Sequence, residues 1–299
     1  MQTHTHLFNS ADKKADWDLF KKVALTVRRD IIKMLGIAGS GHPGGSLSAT
    51  DILTVLYFNF LRHDPKNPKW PDRDRVIFSK GHGCPALYSV LAECGYFDRS
   101  LLWTLRQIGS PLQGHPDMRK LSGIEASTGS LGQGLSIAIG CALAAKLDKK
   151  DFTTYAIISD GELNEGQIWE AAAFAAFQKL PRLIAILDFN KFQLSGATKD
   201  ILDMEPVVDK WRAFGWEVKE IDGHDHRQIY DAILWANSVT TGGKPAIIVA
   251  HTVKGKGVSF MENNNHFHGV ANTKAETEKA LRELGENEVK IKRILEMIK

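Results

Sequence analysis

Apolar runs and helical patterns alternate along most of the chain. Strand-like apolar runs are predicted at residues 75–79, 154–159, 183–188, 216–221 and 246–251. Helical patterns lie between them, at residues 84–94, 98–107, 134–147, 167–178 and 226–237. Strands that alternate with helices are typical of a mostly parallel sheet with helices on both faces. We therefore predict an α/β fold whose ligands bind beyond the carboxyl ends of the strands.

The two ends of the chain have helical character. Residues 17–38 and 48–60 show helical patterns, and residues 272–299 predict one or two exposed helices. No stretch rich in Pro, Gly or Ser is long enough to act as a linker between domains. We therefore expect a single domain over residues 1–299, with a C-terminal helical tail from about residue 272.

Charge and composition narrow the class of protein. The 38 Lys and Arg residues nearly balance the 35 Asp and Glu residues, which argues against a nucleic-acid or membrane-surface binder. The first 18 residues are polar and show no secretory signal, and the apolar stretches are shorter than the roughly 20 residues of a membrane span. The 3 cysteines form no C-x-x-C pair, so neither a disulfide framework nor a cysteine zinc site is expected. We expect a cytoplasmic protein.

Two neighbouring strands are followed by oxygen-bearing side chains. Asp160 and Gly161 follow the run at 154–159, and Asn190 follows the next run, 30 residues after Asp160. An isolated Asp-Gly would usually be a turn or a helix cap. The matched Asn190 instead favours a hard cation such as Mg²⁺, which completes its coordination shell with phosphate oxygens.

Three histidines lie in loops bounded by glycine or proline. His42 precedes Pro43, His82 lies between two glycines, and His115 lies between Gly114 and Pro116. One such histidine would usually be a surface residue. Three of them in loops at one site indicate proton transfer on an oxygen-rich substrate. Their spacing does not resemble a zinc motif.

Two further loops carry weaker signals. Residues 127–134 form a glycine-rich loop that opens a helix, where an anion would be favoured, but the loop lacks the lysine of a nucleotide-binding P-loop. Residues 253–269 form a long loop after the last strand, with His266 and His268 near its end. This segment is either a basic surface loop or a flap over the site.

Together and in this order, these motifs resemble the amino-terminal, thiamine diphosphate-binding domain of transketolase. The resemblance covers about residues 17–270. It implies the thiamine diphosphate-binding fold, with Mg²⁺ or another divalent cation such as Ca²⁺ or Mn²⁺ held on the cofactor diphosphate. The implied metal ligands are the side chains of Asp160 and Asn190 and the backbone carbonyl of Phe192. Ser159 stands where the family usually has Gly, and Ser130 where Pro is common.

The resemblance also implies roles for other residues. The implied cofactor-binding residues are His82, Gly129, Ser130, Leu131, Asp160, Gly161, Glu165, Asn190 and Phe192. The implied catalytic residues are His42, His82, His115 and His268, with His266 as the alternative to His268. Glu165 would lie at a subunit interface, in the family's acidic link between paired active sites.

Length separates this chain from the long members of that family. Those members carry two further domains, whereas this sequence ends at Lys299, where they would begin. The absent part supplies the glutamate that activates the cofactor and the aromatic pocket for its pyrimidine ring. We therefore expect one subunit of a split transketolase, active only with a carboxyl-terminal partner subunit in an α₂β₂ assembly. A truncated piece of a longer chain is the alternative.

The reaction implied by the resemblance is transfer of a two-carbon ketol unit from a ketose, commonly a ketose phosphate of pentose phosphate metabolism, to an aldose. Whether the sugars are sulfonated or unphosphorylated is left open.

Three other functions are alternatives. A deoxyxylulose phosphate synthase usually lacks the Gly-His-Pro at 114–116 and the Leu-Gly-Gln-Gly at 131–134. The split first component of pyruvate dehydrogenase lacks this set of loop histidines. A non-catalytic paralogue would be expected to have lost metal ligands or histidines.

Overall fold

A parallel sheet forms the centre of the computed structural model, which describes residues 14–298. The strands in the described part of the chain are β1 (Arg75–Phe78), β2 (Thr154–Ser159), β3 (Leu183–Phe189), β4 (Phe192–Gln193), β5 (Gly196–Ala197), β6 (Glu217–Asp222) and β7 (Ala246–His251). The main sheet has the order β1-β2-β3-β7-β6 with parallel pairing throughout, and β4 and β5 form a separate short hairpin. The predicted α/β class is confirmed.

Helices cover both faces of this sheet. They are α1 (Trp17–Ala38), α2 (Pro43–Ser48), α3 (Thr50–Val55), α4 (Cys84–Glu93), α5 (Gln133–Leu147), α6 (Gly166–Phe177), α7 (Thr198–Ile201), α8 (Val207–Ala213), α9 (His226–Val239), α10 (Lys274–Glu283) and α11 (Glu288–Met297). Side chains alternate across the sheet, so Ile157 packs into the core with α1, α3, α4 and α9, whereas Ile158 packs into the core with α5, α6 and α8. Strands buried on both faces explain the continuous apolar runs.

Two predicted helices differ from those observed. The helix predicted over 48–60 begins earlier, with Pro43 in its first turn, and is interrupted at Ala49 before α3. It ends in a π-helical turn, Leu56–Phe60, in which the Leu61 amide donates to the Leu56 carbonyl. The helix predicted over 98–107 is a 3₁₀ helix, Arg99–Thr104, because Leu105 leaves the helical region.

The segment between β3 and β6 was not predicted in detail. It holds the hairpin β4–β5 and the helices α7 and α8. The two helices predicted at the C-terminus are present as α10 and α11. They are not simply exposed, because Ala280 and Leu281 of α10 and Ile291 of α11 are buried in the core shared with α1.

Some predictions fall outside the described residues. The segment in which we expect no secretory signal consists mainly of residues 1–13, which are outside the described range. Lys299, the last residue of the predicted helical tail, is outside it too. Within that range, none of the helices combines the length and apolar character that crossing a membrane requires. The single domain stays a prediction.

A buried carboxylate joins the helical layer to the loops beside the sheet. Asp51 of α3 accepts two hydrogen bonds from Arg28 of α1 and contacts the Nδ1 of His224 at 2.7 Å and the Nε2 of His226 at 3.0 Å. The Val253 amide donates to the Nε2 of His224 at 2.8 Å, so Nδ1 carries the proton that His224 gives to Asp51. This cluster therefore fixes the start of the loop that follows β7.

We expect Asp51→Asn to lower the free energy of unfolding by about 3–5 kcal/mol near pH 7, since it leaves Arg28 buried without its partner. Burial opposes ionisation of Asp51, but Arg28 and then the two histidines outweigh it and hold its pKa well below the usual range. The stabilisation is therefore present above the unfolded pKa, about 3.9, and is lost as the pH falls below it.

Urea unfolding of both proteins at pH 7, 5 and 3 measures this effect. The exposed Asp209 provides the control, Asp209→Asn, which should change stability little. An Asp51→Asn protein as stable as the wild type at pH 7 would contradict the assigned role of the cluster.

Candidate active site

Asp160 and Asn190 lie beside each other at the carboxyl edge of the sheet. Ser159, the last residue of β2, pairs in register with Asp188 of β3, so the two strands end at the same level. The Lys191 amide donates to the Oδ2 of Asp160, and the Phe192 amide donates to the Oδ1 of Asn190 at 3.1 Å. Both side chains are buried, with 2% and 5% of their surface exposed. The structure thus brings together two of the three predicted metal ligands, with Phe192 next to them.

The charge of Asp160 is poorly compensated. Burial first, and then the charge of Asp188, raise the pKa of Asp160 to about 7, while Lys80 acts in the opposite direction. A divalent cation would restore the ionised carboxylate, and one carboxylate, one amide and one carbonyl suit Mg²⁺. Residues 14–298 contain no cluster of three or more His, Cys, Asp or Glu side chains arranged to hold a metal. Asp160, Asn190 and the Phe192 carbonyl would supply three protein oxygens, and phosphate oxygens or water would fill the other positions around a cation.

A buried ion pair supports the same edge of the sheet. The Nζ of Lys80, in the loop after β1, donates to Asp188 of β3, and both side chains are fully buried. Ser48 donates to the same carboxylate at 2.6 Å, and Thr252 donates to its other oxygen. Asp188 therefore ties β3 to α2 and to the segments that follow β1 and β7. Lys80 was not predicted as a site residue, although a lysine directly after a buried strand was a signal for it.

Lys254 is a second buried cation at the site that was not predicted from the sequence. Only 1% of its surface is exposed, and its Nζ lies 2.7 Å from both the Oδ1 of Asn265 and the Nδ1 of His268. Burial lowers the pKa of Lys254 to about 8, an effect that the charge of Asp160 opposes. The side chain is therefore a strong candidate for binding an anion beside Asp160.

Four of the predicted histidines form one cluster. The ring centroid of His42 lies 5.3 Å from that of His82, 5.8 Å from that of His268 and 6.3 Å from that of His115. His82 and His268 stack with their centroids 5.4 Å apart. His266 is exposed and packs on Phe267 instead. Of the two late-loop alternatives, the structure thus places His268, and not His266, in the cluster.

These imidazoles are neutral at physiological pH. Burial, followed by the charge of Arg106, lowers the pKa of His42 to about 4, and burial with Lys254 lowers the pKa of His268 to about 3. Burial also holds the pKa of His82 well below its usual value. The Nδ1 of His42 is buried and has no hydrogen-bond partner within residues 14–298. Neutral imidazole rings are suited to binding hydroxyl groups and exchanging protons with them.

The glycine-rich loop is pressed against the histidine loops. A Cβ on Gly81 would lie 2.8 Å from the backbone nitrogen of Gly129. A Cβ on Gly129, whose φ is 142°, would lie 2.8 Å from the His115 ring. Glu162 holds the far side of the loop, accepting from the Gly132 amide at 3.0 Å and from Ser79. This role of Glu162 was not predicted from the sequence.

A cavity of about 210 Å³ joins most of these groups. Its lining contains the predicted residues His82, Leu131, Asp160, Gly161, Glu165, Asn190, Phe192 and His268, together with Lys254. His42 and His115 extend the site outward from His82, while Ser130 is exposed at the glycine-rich loop. The Oδ1 of Asn164, which also lines the cavity, is buried without a hydrogen-bond partner in the described range. The cavity therefore presents an oxygen-rich cation site, a buried lysine and unpaired polar atoms to one ligand.

A polar cavity at the carboxyl edge of a parallel α/β sheet is typical of an enzyme domain that binds a cofactor. Residues 20–297 match the family described as "Transketolase, thiamine diphosphate binding domain". The chain belongs to this family.

Its relatives include short subunits and long single chains. The chain is 49% identical over 261 residues to the 6-deoxy-6-sulfo-D-fructose transketolase subunit SqwG of Clostridium sp. (strain MSTE9), covering 87% of this chain and 94% of that protein. It is 42% identical over 267 residues to an apulose-4-phosphate transketolase subunit of Phocaeicola vulgatus, covering 89% and 94%. It is 38% identical over 265 residues to human transketolase, covering 88% of this chain but 42% of the human protein.

The fold agrees with solved transketolase structures. The crystal structure of transketolase from Campylobacter jejuni matches with a TM-score of 0.85 and 34% sequence identity. The match covers 95% of this chain and 47% of that protein. The chain thus spans about half the length of the long transketolases and nearly the whole length of the short subunits.

We expect Gly81→Ala to weaken cofactor binding by roughly tenfold or more, because the new methyl group would meet the backbone of residues 128 and 129, which cannot turn away as a side chain can. Gly242→Ala is the matched control, since a Cβ there meets no atom within 4 Å. Isothermal titration of thiamine diphosphate in the presence of Mg²⁺ measures the effect. Equal affinities for the two variants would show that the packing of these loops does not position the site.

Proposed function

We propose that this chain is the thiamine diphosphate- and Mg²⁺-binding subunit of a two-subunit transketolase that moves a two-carbon ketol unit from a ketose to an aldose. The observation that carries the proposal is the convergence of the Asp160–Asn190 pair, Lys254 and the histidine cluster on one cavity. A non-catalytic paralogue would be expected to have lost some of these residues, and this chain retains them. Family membership and the short relatives support the same function.

The polar groups of the cavity fit the diphosphate end of the cofactor. Asp160, Asn190 and the Phe192 carbonyl would hold the cation, and Lys254 and His82 would face the diphosphate oxygens. Gly129, Ser130 and Leu131 would contact the cofactor rings, with Gly161 allowing close approach of the backbone. When bound, the cofactor supplies a carbanion that cleaves and forms bonds next to a sugar carbonyl. The chain's own residues orient the reactants and handle the protons.

The histidine cluster would handle the hydroxyl groups of the sugar. His268 lines the cavity, and His42 and His115 lie next to it in the histidine cluster. Their lowered pKa values keep the rings neutral and able to accept a proton and return it. Positioned acid–base groups of this kind contribute about 10²–10⁴-fold to the rate. His82 lies deeper, against Gly45, and serves both the diphosphate and the inner end of the sugar.

A second polypeptide would complete the site. Two relatives of nearly the same length are named as transketolase subunits, whereas human transketolase is more than twice as long as its matching part. Glu165 is exposed at the start of α6, and Phe174 and Phe177 of α6 expose 44% and 80% of their surface. We assign this surface to contacts between subunits in an α₂β₂ assembly. We propose that this assembly is located in the cytoplasm.

We propose that the substrates are sugars that carry an anionic group. The names of two relatives specify a sulfonated fructose and a phosphorylated apulose. We propose for this chain a ketose donor whose end remote from the carbonyl carries a sulfonate or a phosphate.

We expect Asp160→Ala to abolish Mg²⁺-dependent cofactor binding and to leave the fold intact, because the side chain is a ligand at a loop and not part of the packed core. Titration calorimetry of the two-subunit complex with thiamine diphosphate, with and without Mg²⁺, measures this. Asp200→Ala, an exposed carboxylate on α7, is the control and should bind normally. Unchanged affinity in Asp160→Ala would overturn the metal assignment.

We expect the purified chain alone to be inactive and to gain two-carbon transfer when a carboxyl-terminal transketolase subunit is added. The reason is that the cofactor lies in a cleft that both halves form. Activity with a panel of ketose donors, together with the solution mass of the mixture, tests this. Unaided transfer by the isolated chain, or a complex that binds cofactor and transfers nothing from any ketose, would contradict the proposal.

A further inference from the structure

Residues 105–132 contain neither helix nor strand, although His115 and the glycine-rich loop both lie in this segment. The carbonyl groups of an irregular backbone have no regular partners, so its position depends on donors from elsewhere. On one side of His115, the segment is held by itself, since the Thr128 amide donates to the Pro116 carbonyl at 3.3 Å. On the other side, residues 113 and 114 are held by a different element of the fold.

Helix α4 supplies the donors for these two residues. The hydroxyl of Tyr88 donates to the Gln113 carbonyl at 2.9 Å, and the thiol of Cys84 donates to the Gly114 carbonyl at 3.3 Å. Cys84 and Tyr88 are four residues apart, so they lie on one face of α4. Within the described part of the chain, Tyr88 is the closest donor to the Gln113 carbonyl, because the Cys84 sulfur is 3.7 Å from it. Helix α4 therefore holds the two carbonyl groups that immediately precede His115.

Both donors belong to the packed interior of this chain. Tyr88 exposes 0% of its surface and Cys84 exposes 1%. Burial raises the pKa of Cys84 to about 12 and also raises the pKa of Tyr88 above its ordinary value, so both groups keep their protons and remain donors. A partner subunit that covers the outer surface of the site would leave these two contacts as they are.

The same helix also positions His82. The 3₁₀ turn Gly81–Gly83 leads directly into α4, so His82 lies at the amino end of the helix. The ring of His42 lies 5.3 Å from that of His82 and 6.3 Å from that of His115. One helix thus carries His82 at its end and holds the loop of His115 on its side. It sets the position of His115 relative to the rest of the histidine cluster.

We propose that Tyr88 is a positioning residue of the site: its hydroxyl fixes the backbone before His115 and thereby holds the imidazole in the histidine cluster. This inference rests on the proposed transketolase function, in which His115 handles hydroxyl groups of the sugar. Cys84 assists as a weaker donor. Without the Tyr88 hydroxyl, the Gln113 carbonyl loses its closest donor and the loop is free to shift. A displacement of about 1 Å at a reacting group can lower a rate by roughly 100-fold.

Tyr88→Phe tests the proposal, because it removes the hydroxyl and keeps the ring in the core. Steady-state kinetics of the two-subunit complex, with fructose 6-phosphate and 6-deoxy-6-sulfo-D-fructose as donors, compare this variant with the wild type. We expect kcat/KM for the better donor to fall by roughly 10- to 100-fold, while the affinity for thiamine diphosphate in the presence of Mg²⁺ stays unchanged. Cys84→Ala should show a smaller loss in the same direction, since a thiol is a weak donor.

Tyr155→Phe is the matched control. Tyr155 exposes 1% of its surface, and its hydroxyl donates to the Oδ1 of Asn237 at 3.2 Å. It lies near the amino end of β2, at the opposite edge of the sheet from the site. Each variant removes one buried, hydrogen-bonded hydroxyl, so the urea midpoints should fall by similar amounts. Only Tyr88→Phe should lose activity.

Two further readouts separate positioning from a general structural role. In a His115→Ala background, Tyr88→Phe should cause no additional loss of kcat/KM, because Tyr88 acts through His115. The imidazole NMR signal of His115 in the purified full chain, assigned with His115→Ala, should move in Tyr88→Phe and stay in place in Tyr155→Phe. The NMR measurement needs no turnover and therefore reports on Tyr88 independently of the proposed reaction.

The possible results are distinct. Equal losses of activity in Tyr88→Phe and Tyr155→Phe would overturn the proposal and indicate a general loss of stability. Losses that add to that of His115→Ala, or an unmoved His115 signal, would also refute it. A wild-type complex that transfers from neither donor would count against the proposed function, while the His115 signal would still decide whether Tyr88 positions this histidine.

Discussion

The carboxylate of Asp160 is buried at the end of β2 where it faces the charge of Asp188, and the rest of the site follows from this constraint. The consequence is a pKa near 7 for a group that would be fully ionised in water. Lys80 forms an ion pair with Asp188, so it compensates only part of the negative charge of Asp160. The divalent cation that we propose for this site would compensate the rest of the negative charge, and it would in turn bind the diphosphate of the cofactor.

Four strand ends make this arrangement possible. The parallel strands β1, β2 and β3 and the neighbouring β7 all end at one edge, so Lys80, Asp160, Asn190 and Lys254 arrive there from four separate segments. The histidines come from loops outside the sheet. These loops can pack closely against each other because glycines at their contacts have no side chains. In the proposed function, residues at the strand ends would bind the diphosphate, whereas residues of the surrounding loops would recognise the sugar.

The sequence allowed the sheet and the polar centre to be predicted because both depend on local patterns. Strands buried on both faces give continuous apolar runs, and Asp160 and Asn190 directly follow two of them. The buried cations Lys80 and Lys254 were not foreseen, because a lysine in a loop is usually solvated and its burial depends on partners distant in sequence. The resemblance favoured His268 over His266, but the residues themselves left both open, since one residue separates them and the 3₁₀ turn Asn265–His268 decides their directions.

The most direct test of this account is to locate the cation in crystals of the two-subunit complex grown with thiamine diphosphate and Mn²⁺ in place of Mg²⁺. The account predicts an anomalous scattering peak within about 2.0–2.3 Å of a carboxylate oxygen of Asp160, the amide oxygen of Asn190 and the carbonyl oxygen of Phe192, with the remaining positions filled by diphosphate oxygens and water. A peak bound by other residues, or cofactor present at full occupancy with no metal at this edge of the sheet, would contradict it.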